Sequence, residues 1–159
     1  MASLTNELVR RGHRVTLFAS SDSQTDAELV GSIDRALRLD PRAADPVAPH
    51  VLELAQVCER AREFDVIHCH IDYLAFQLGQ MVRTPTIHTL HGRLDLPYYP
   101  RLFSQMSDVR VVSISDAQRA PLRGVDVSWV GTVYHGLALE PYTFSEEGGE
   151  YRPARGAGT

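Results

Sequence analysis

The sequence has little that would fix a function by itself. It holds only two cysteines in 159 residues, Cys58 and Cys69, which is not a disulfide framework. A reduced, cytoplasmic setting is therefore expected. No apolar run approaches the length of a membrane span. The chain opens directly on a helical pattern, so no signal peptide is expected either. Peripheral membrane contact stays open. Neither sign of charge is in large excess: the net charge is −4 and the pI is near 5.9. Nothing in that balance calls for nucleic acid or an anionic membrane as a partner. Three chemical signatures are also missing. There is no GxGxxG, no GxxxxGK[ST] and no GxSxG, so neither a nucleotide fingerprint nor a nucleophilic elbow is present. There is no internal repeat and no heptad pattern.

What is present is an ordinary globular composition, 43% hydrophobic and 23% charged, in a chain long enough for one domain with its own core. The organising stretch is Phe64 to Gly92. Two short apolar runs, Val66–Cys69 and Thr86–Leu90, each end close to histidines. The apolar residues Leu74, Phe76, Leu78, Met81 and Val82 between them predict a crossover helix, closed by Thr84–Pro85. A strand–helix–strand crossover makes the two strands parallel. Ligands of open parallel sheets bind beyond the carboxyl ends of the strands, and His68, His70, His88 and His91 fall at or near those ends.

Upstream, Ala2 to Arg11 reads as an amphipathic helix ended by Gly12. Val15–Ala19 follows as a short strand of the kind buried on both faces. Asp26 to Leu39 is weakly helical, and His50 to Arg62 is a stronger helix with Val51, Leu54, Ala55, Cys58 and Ala61 on one side. Downstream, a helix after Pro97 carries Tyr98, Tyr99 and Phe103. Val109–Ile114 is a buried strand, and Ser115 to Gln118 is a capping box opening a helix that stops near Pro121. Val127–Tyr134 is a last strand interrupted by Gly131. About five strands alternate with helices, which predicts an α/β fold, a Rossmann-like parallel sheet flanked by helices. Such a sheet normally begins with a strand, and none precedes the first helix. Residues 1–144 are expected to form this domain and 145–159, Gly-, Pro- and Arg-rich, a disordered tail.

Four imidazoles near one sheet edge could bind zinc, but no recognised ligand spacing completes the set. A polar ligand cleft, with one histidine in the core, is the simpler reading. His91-Gly92 pairs a hydrogen-bonding ring with a residue that lets backbone approach closely. Ser115-Asp116 sits at a strand-to-helix junction, where anions are favoured, though a plain N-cap explains it equally well. The aromatic faces of Tyr98, Tyr99 and Phe103 suit sugar rings, and on a helix they also suit a core.

The segments ELVRRGHRVTLFAS, FDVIHCH, TPTIHTLHG, VVSISDAQR and VYHGL, in this order and spacing, resemble family-4 glycosyltransferases of the GT-B fold. The resemblance covers most of residues 4 to 144. It implies the amino-terminal, acceptor-binding half of a retaining enzyme that moves a sugar from a nucleotide-sugar donor to a sugar or lipid acceptor, without a metal or other cofactor. By position it implies that His91 contacts the transferred sugar as the catalytic-site histidine. Gly92, His70, Ser115 and Asp116 would line the substrate side. His135 stands where the family has asparagine. The family's first strand, its Gly-rich loop and its donor-binding domain have no counterpart here. The chain is accordingly expected to be a fragment, inactive alone, with a sheet that exposes unpaired backbone. Two other readings stay in play: a non-catalytic sugar- or partner-binding module, and a zinc hydrolase built on the histidines.

Overall fold

A computed structural model describes residues 2–41 and 44–136. The first helix, α1 (Ala2–Arg10), ends as expected at Gly12, whose φ of 88° is the left-handed value that glycine adopts without a Cβ clash. Its last turn closes with Gly12 N–H donating to Val9 O and His13 N–H to Leu8 O, the paired bonds of a Schellman stop. The chain then enters β1 (Thr16–Ala19).

The stretch 26–39 corrects the sequence reading. It holds a strand, β2 (Glu28–Gly31), and a 3₁₀ turn at Leu37–Leu39, not a helix. Parallel pairing to β1 in the register Thr16↔Glu28 to Ala19↔Gly31 decides it. A four-residue strand is too short for its period to be legible against weak helical spacing.

Next comes α2 (Val47–Arg60), with Pro49 in its first turn, where its missing N–H costs no helical bond. Its buried face differs from the predicted one. Val57 is buried, with Leu54, Cys58 and Ala61 packed beside it, whereas Val51 is 58% exposed. After β3 (Ile67–Cys69) the crossover is shorter and more broken than expected: a 3₁₀ turn at Asp72–Ala75, then the single turn α3 (Leu78–Met81). It still delivers β4 (Thr86–Thr89) parallel to β3. The chain continues through α4 (Tyr99–Gln105), β5 (Val111–Ser113), α5 (Asp116–Arg119) with a 3₁₀ turn to Leu122, and β6 (Trp129–Thr132). The Gly131 interruption shows as a slipped register, with Val111 opposite Trp129 and Val112 opposite Gly131.

All pairings are parallel, and helices flank the strands, so the chain is α/β and Rossmann-like. Among the described residues the strands form two sheets. One is β1–β2, and the other runs β3–β4–β5–β6. Two apolar clusters hold them. Val57, Ala61, Ile67, Cys69, Ala75 and Leu78 join α2 to β3 and the crossover. Phe76, Leu90, Leu94, Phe103, Val111 and Leu122 fill the space around β4, β5 and α4. Fully burying each of the Val, Leu, Ile and Phe side chains contributes about 1.5–3 kcal/mol. Of the aromatic trio, Phe103 is core, Tyr99 packs at its margin, and Tyr98 is 83% exposed. β1 is half-buried along its length, not buried on both faces. The expected tail, 145–159, and residues 137–144 lie outside the described residues.

Candidate functional site

β3 places His68 and the residue two further on, His70, on one side of the chain, as strand alternation requires. Their rings lie 4.1 Å apart between centroids. β4 ends two residues before His91, which reaches back so that its Nε2 lies 2.9 Å from His70 Nδ1. The two rings are stacked at 5.2 Å, and His135, just after β6, stacks with His91 at 5.6 Å. Four imidazoles thus form a continuous row at the carboxyl edge of the larger sheet.

His88 does not join them. It points from β4 into the core, is 1% exposed, and meets the edge of Phe76 with ring centroids 5.3 Å apart. Neither of its ring nitrogens has a hydrogen-bond partner. The alternation that puts it opposite Cys69 in the register sends it to the apolar face. Cys69 is buried there too, and burial pushes its thiol up to about 12.

Asp72 fixes the His91 loop. Its Oδ1 accepts from the backbone N–H of His91 at 2.8 Å and of Gly92 at 3.4 Å. Asp72 itself sits at φ 49°, a left-handed backbone that Asp tolerates better than most residues. Gly92 leaves little room for a side chain. A Cβ at Gly92 would stand 3.3 Å from Asp72 Oδ2. The close approach is to a carboxylate of the site itself.

Gln118 ties this loop to the next strand-to-helix junction. The predicted capping box forms only in half. Ser115 Oγ accepts from Gln118 N–H at 3.1 Å, but the Gln118 side chain does not return to Ser115. Its Oε1 accepts from Ile114 N–H at 2.9 Å, and its Nε2 donates to Leu90 O at 3.0 Å and Gly92 O at 2.8 Å. Asp116 accepts from Thr132 Oγ1 at 2.9 Å and Tyr134 O–H at 3.3 Å, which binds α5 to β6. Of the residues singled out from the sequence, His70, His91 and Gly92 come together. Ser115 is linked to them through Gln118, and Asp116 faces β6. Asp72 and Gln118 were not identified as site residues. Asp72 could have been found from its position two residues after His70. In the sequence Gln118 reads only as a cap, because nothing local shows that its amide reaches across to another strand.

Burial and mutual repulsion disfavour the charged forms of His68, His70 and His91. His70 is held down to about 3, by burial first and then by His68 and His91. His68 opens toward a cavity, yet the atoms crowded around it still lower its pKa, with His91 adding to the effect. His91 is also lowered by burial, with Asp72 opposing and His135 assisting. A neutral imidazole offers one donor and one acceptor, which matches a hydroxyl group. The rings stack and bond to one another, and no three His, Cys, Asp or Glu among the described residues converge as metal ligands. No helix among the described residues is long and apolar enough to cross a membrane.

The family model of glycosyltransferase family 4 matches residues 1–141. The chain belongs to glycosyltransferase family 4. The match contains every described residue, so the imidazole row, Asp72, Gly92 and Gln118 are all parts of the family 4 domain. No curated protein matches the chain significantly.

Proposed function

We propose that this family 4 domain binds the acceptor side of a retaining glycosyl transfer, from a nucleotide-sugar donor to a sugar or lipid acceptor, with no metal taking part. His91 is the residue that contacts the transferred sugar. Gly92 lets the backbone lie close to it, and His70 holds the His91 ring. Ser115 and Asp116 shape the neighbouring wall. One observation carries this reading. His91 is exposed at the carboxyl edge of a parallel sheet, with its backbone held by Asp72 and its ring held by His70. A ring fixed at both ends and still open to solvent is pre-organised to bond a hydroxyl, and pre-organisation reduces the ordering cost of binding.

The test is binding of simple alkyl glycosides by calorimetry, with the unaltered chain and His91→Ala. The reading predicts measurable binding that falls on the order of tenfold on loss of one hydrogen-bonding ring, with an unchanged circular dichroism spectrum. Equal affinity in both proteins would remove His91 from the site.

A further inference from the structure

A row of aromatic rings runs from the core to the surface beside the His91 loop. Between ring centroids, His88 meets Phe76 at 5.3 Å, Phe76 meets Phe103 at 5.5 Å, Phe103 meets Tyr99 at 6.0 Å, and Tyr99 meets Tyr73 at 5.7 Å. Burial falls along the row. His88, Phe76 and Phe103 are buried, Tyr99 is half-buried, and Tyr73 is 44% exposed. The turn that carries Tyr73 is anchored in the core by Ala75 and Phe76. Tyr73 is thus an exposed ring that packed neighbours hold in one orientation. Tyr98 is more exposed, but it joins no ring contact among the described residues.

Tyr73 also adjoins the proposed site. It follows Asp72, whose carboxylate accepts from the backbone N–H groups of His91 and Gly92. Asp72 stands at φ 49°, and strained backbone of this kind gathers at ligand sites. The turn at Asp72 sends its carboxylate to the His91 loop and leaves the next ring at the surface. Tyr99 closes the same corner: burial raises the pKa of its hydroxyl, and Tyr73 and Asp72 add to the rise. None of the hydrogen bonds that hold His91, Gly92 or Gln118 involves Tyr73, so supporting the site does not account for its placement.

We propose that Tyr73, backed by Tyr99, is the platform on which a pyranose ring of the acceptor stacks, with the rim of that ring toward His91. This rests on the acceptor-binding reading above and narrows its sugar or lipid acceptor to a cyclic sugar. A pyranose has C–H faces ringed by hydroxyls. The C–H face suits the electron-rich face of a tyrosine ring. The hydroxyl rim suits an imidazole that offers one donor and one acceptor. An alkyl chain on Tyr73 would gain the same apolar contact, but it would take water from His91 and bond nothing in return.

The test is calorimetric titration of the full chain with methyl β-glucoside and with sorbitol, an acyclic polyol that has hydroxyls but no ring face. The platform predicts that Tyr73→Ala weakens glucoside binding on the order of tenfold, with an unchanged circular dichroism spectrum. Tyr73→Phe keeps the affinity, Tyr98→Ala leaves it unchanged, and sorbitol binding does not depend on Tyr73. A second readout needs no variant: ring protons of the bound glucoside shift upfield in the NMR spectrum, as protons above an aromatic face do. Glucoside binding that His91→Ala weakens and Tyr73→Ala does not would overturn the platform and leave the site standing. No glucoside binding, or binding that neither variant changes, would overturn both. Equal losses in Tyr73→Ala and Tyr73→Phe, a Tyr73-dependent affinity for sorbitol, or the lack of an upfield shift would overturn the platform alone.

Discussion

The two sheets of this domain carry similar strands in different surroundings. None of the eight residues of β1 and β2 is buried. In the larger sheet all three residues of β5 are buried, and so is the second half of β4. Both sets are short and parallel. The difference is in neighbours: β4 and β5 have a strand on each side and packed helices, while β1 has a strand on one side and a cavity on the other. Burial of a strand is thus a property of the assembled sheet more than of its residues.

That contrast can be tested with two phenylalanines. Phe103 is 2% exposed in the cluster around β4 and β5, whereas Phe18 is half-buried beside the cavity. Phe103→Ala should lower unfolding free energy by about 3–5 kcal/mol, cavity included. Phe18→Ala should cost about 1–2 kcal/mol, in line with its partial burial. Urea denaturation compares them, and equal losses would mean that the two regions are equally well packed.

The histidines sharpen the contrast inside the larger sheet. His88 is buried neutral, with its pKa held down to about 4, chiefly by desolvation. The unfolded chain binds that proton near pH 6.5. Stability is therefore full above pH 6.5, is lost as pH falls toward 4, and levels off below. The expected loss is about 3 kcal/mol. His70, held down to about 3, adds a loss in the same direction that extends to lower pH. His88→Leu should flatten the acid limb of a stability-against-pH curve, and an unchanged limb would assign it to other groups.

A smaller effect is expected at Gln118. Gln118→Ala removes two hydrogen bonds that hold the His91 loop to the β5–α5 junction and a third, to Ile114 N–H, within that junction. Thermal melting should show a loss of about 1–3 kcal/mol, and glycoside binding should weaken with it. Binding loss without stability loss would make Gln118 a direct contact.

The alternation of strands and helices was legible because the strands after Phe64 are strongly apolar and bounded by turn residues. The end of α1 was legible because Gly12 has a clear physical role there. β2 was hidden by its length. The buried face of α2 lies one step around from the stripe that its apolar spacing suggests, and it is centred on Val57. Helical spacing fixes a stripe only when the partner surface is known. In the site, the pairing of His68 with His70 followed from the period of two. The opposite fate of His88 followed from the same rule only once the register with Cys69 was known. The bridging roles of Asp72 and Gln118 join residues 19 and 26 positions apart, to His91 and Gly92, and such contacts carry no local pattern.

The most direct test of the proposed site is a map of amide chemical-shift changes as an alkyl glycoside is titrated into the full chain. The account predicts that the largest changes fall on His70, His91, Gly92 and the Ser115–Gln118 junction, with β1 and β2 unmoved. Changes centred on Thr16–Gly31, with His91 silent, would contradict it.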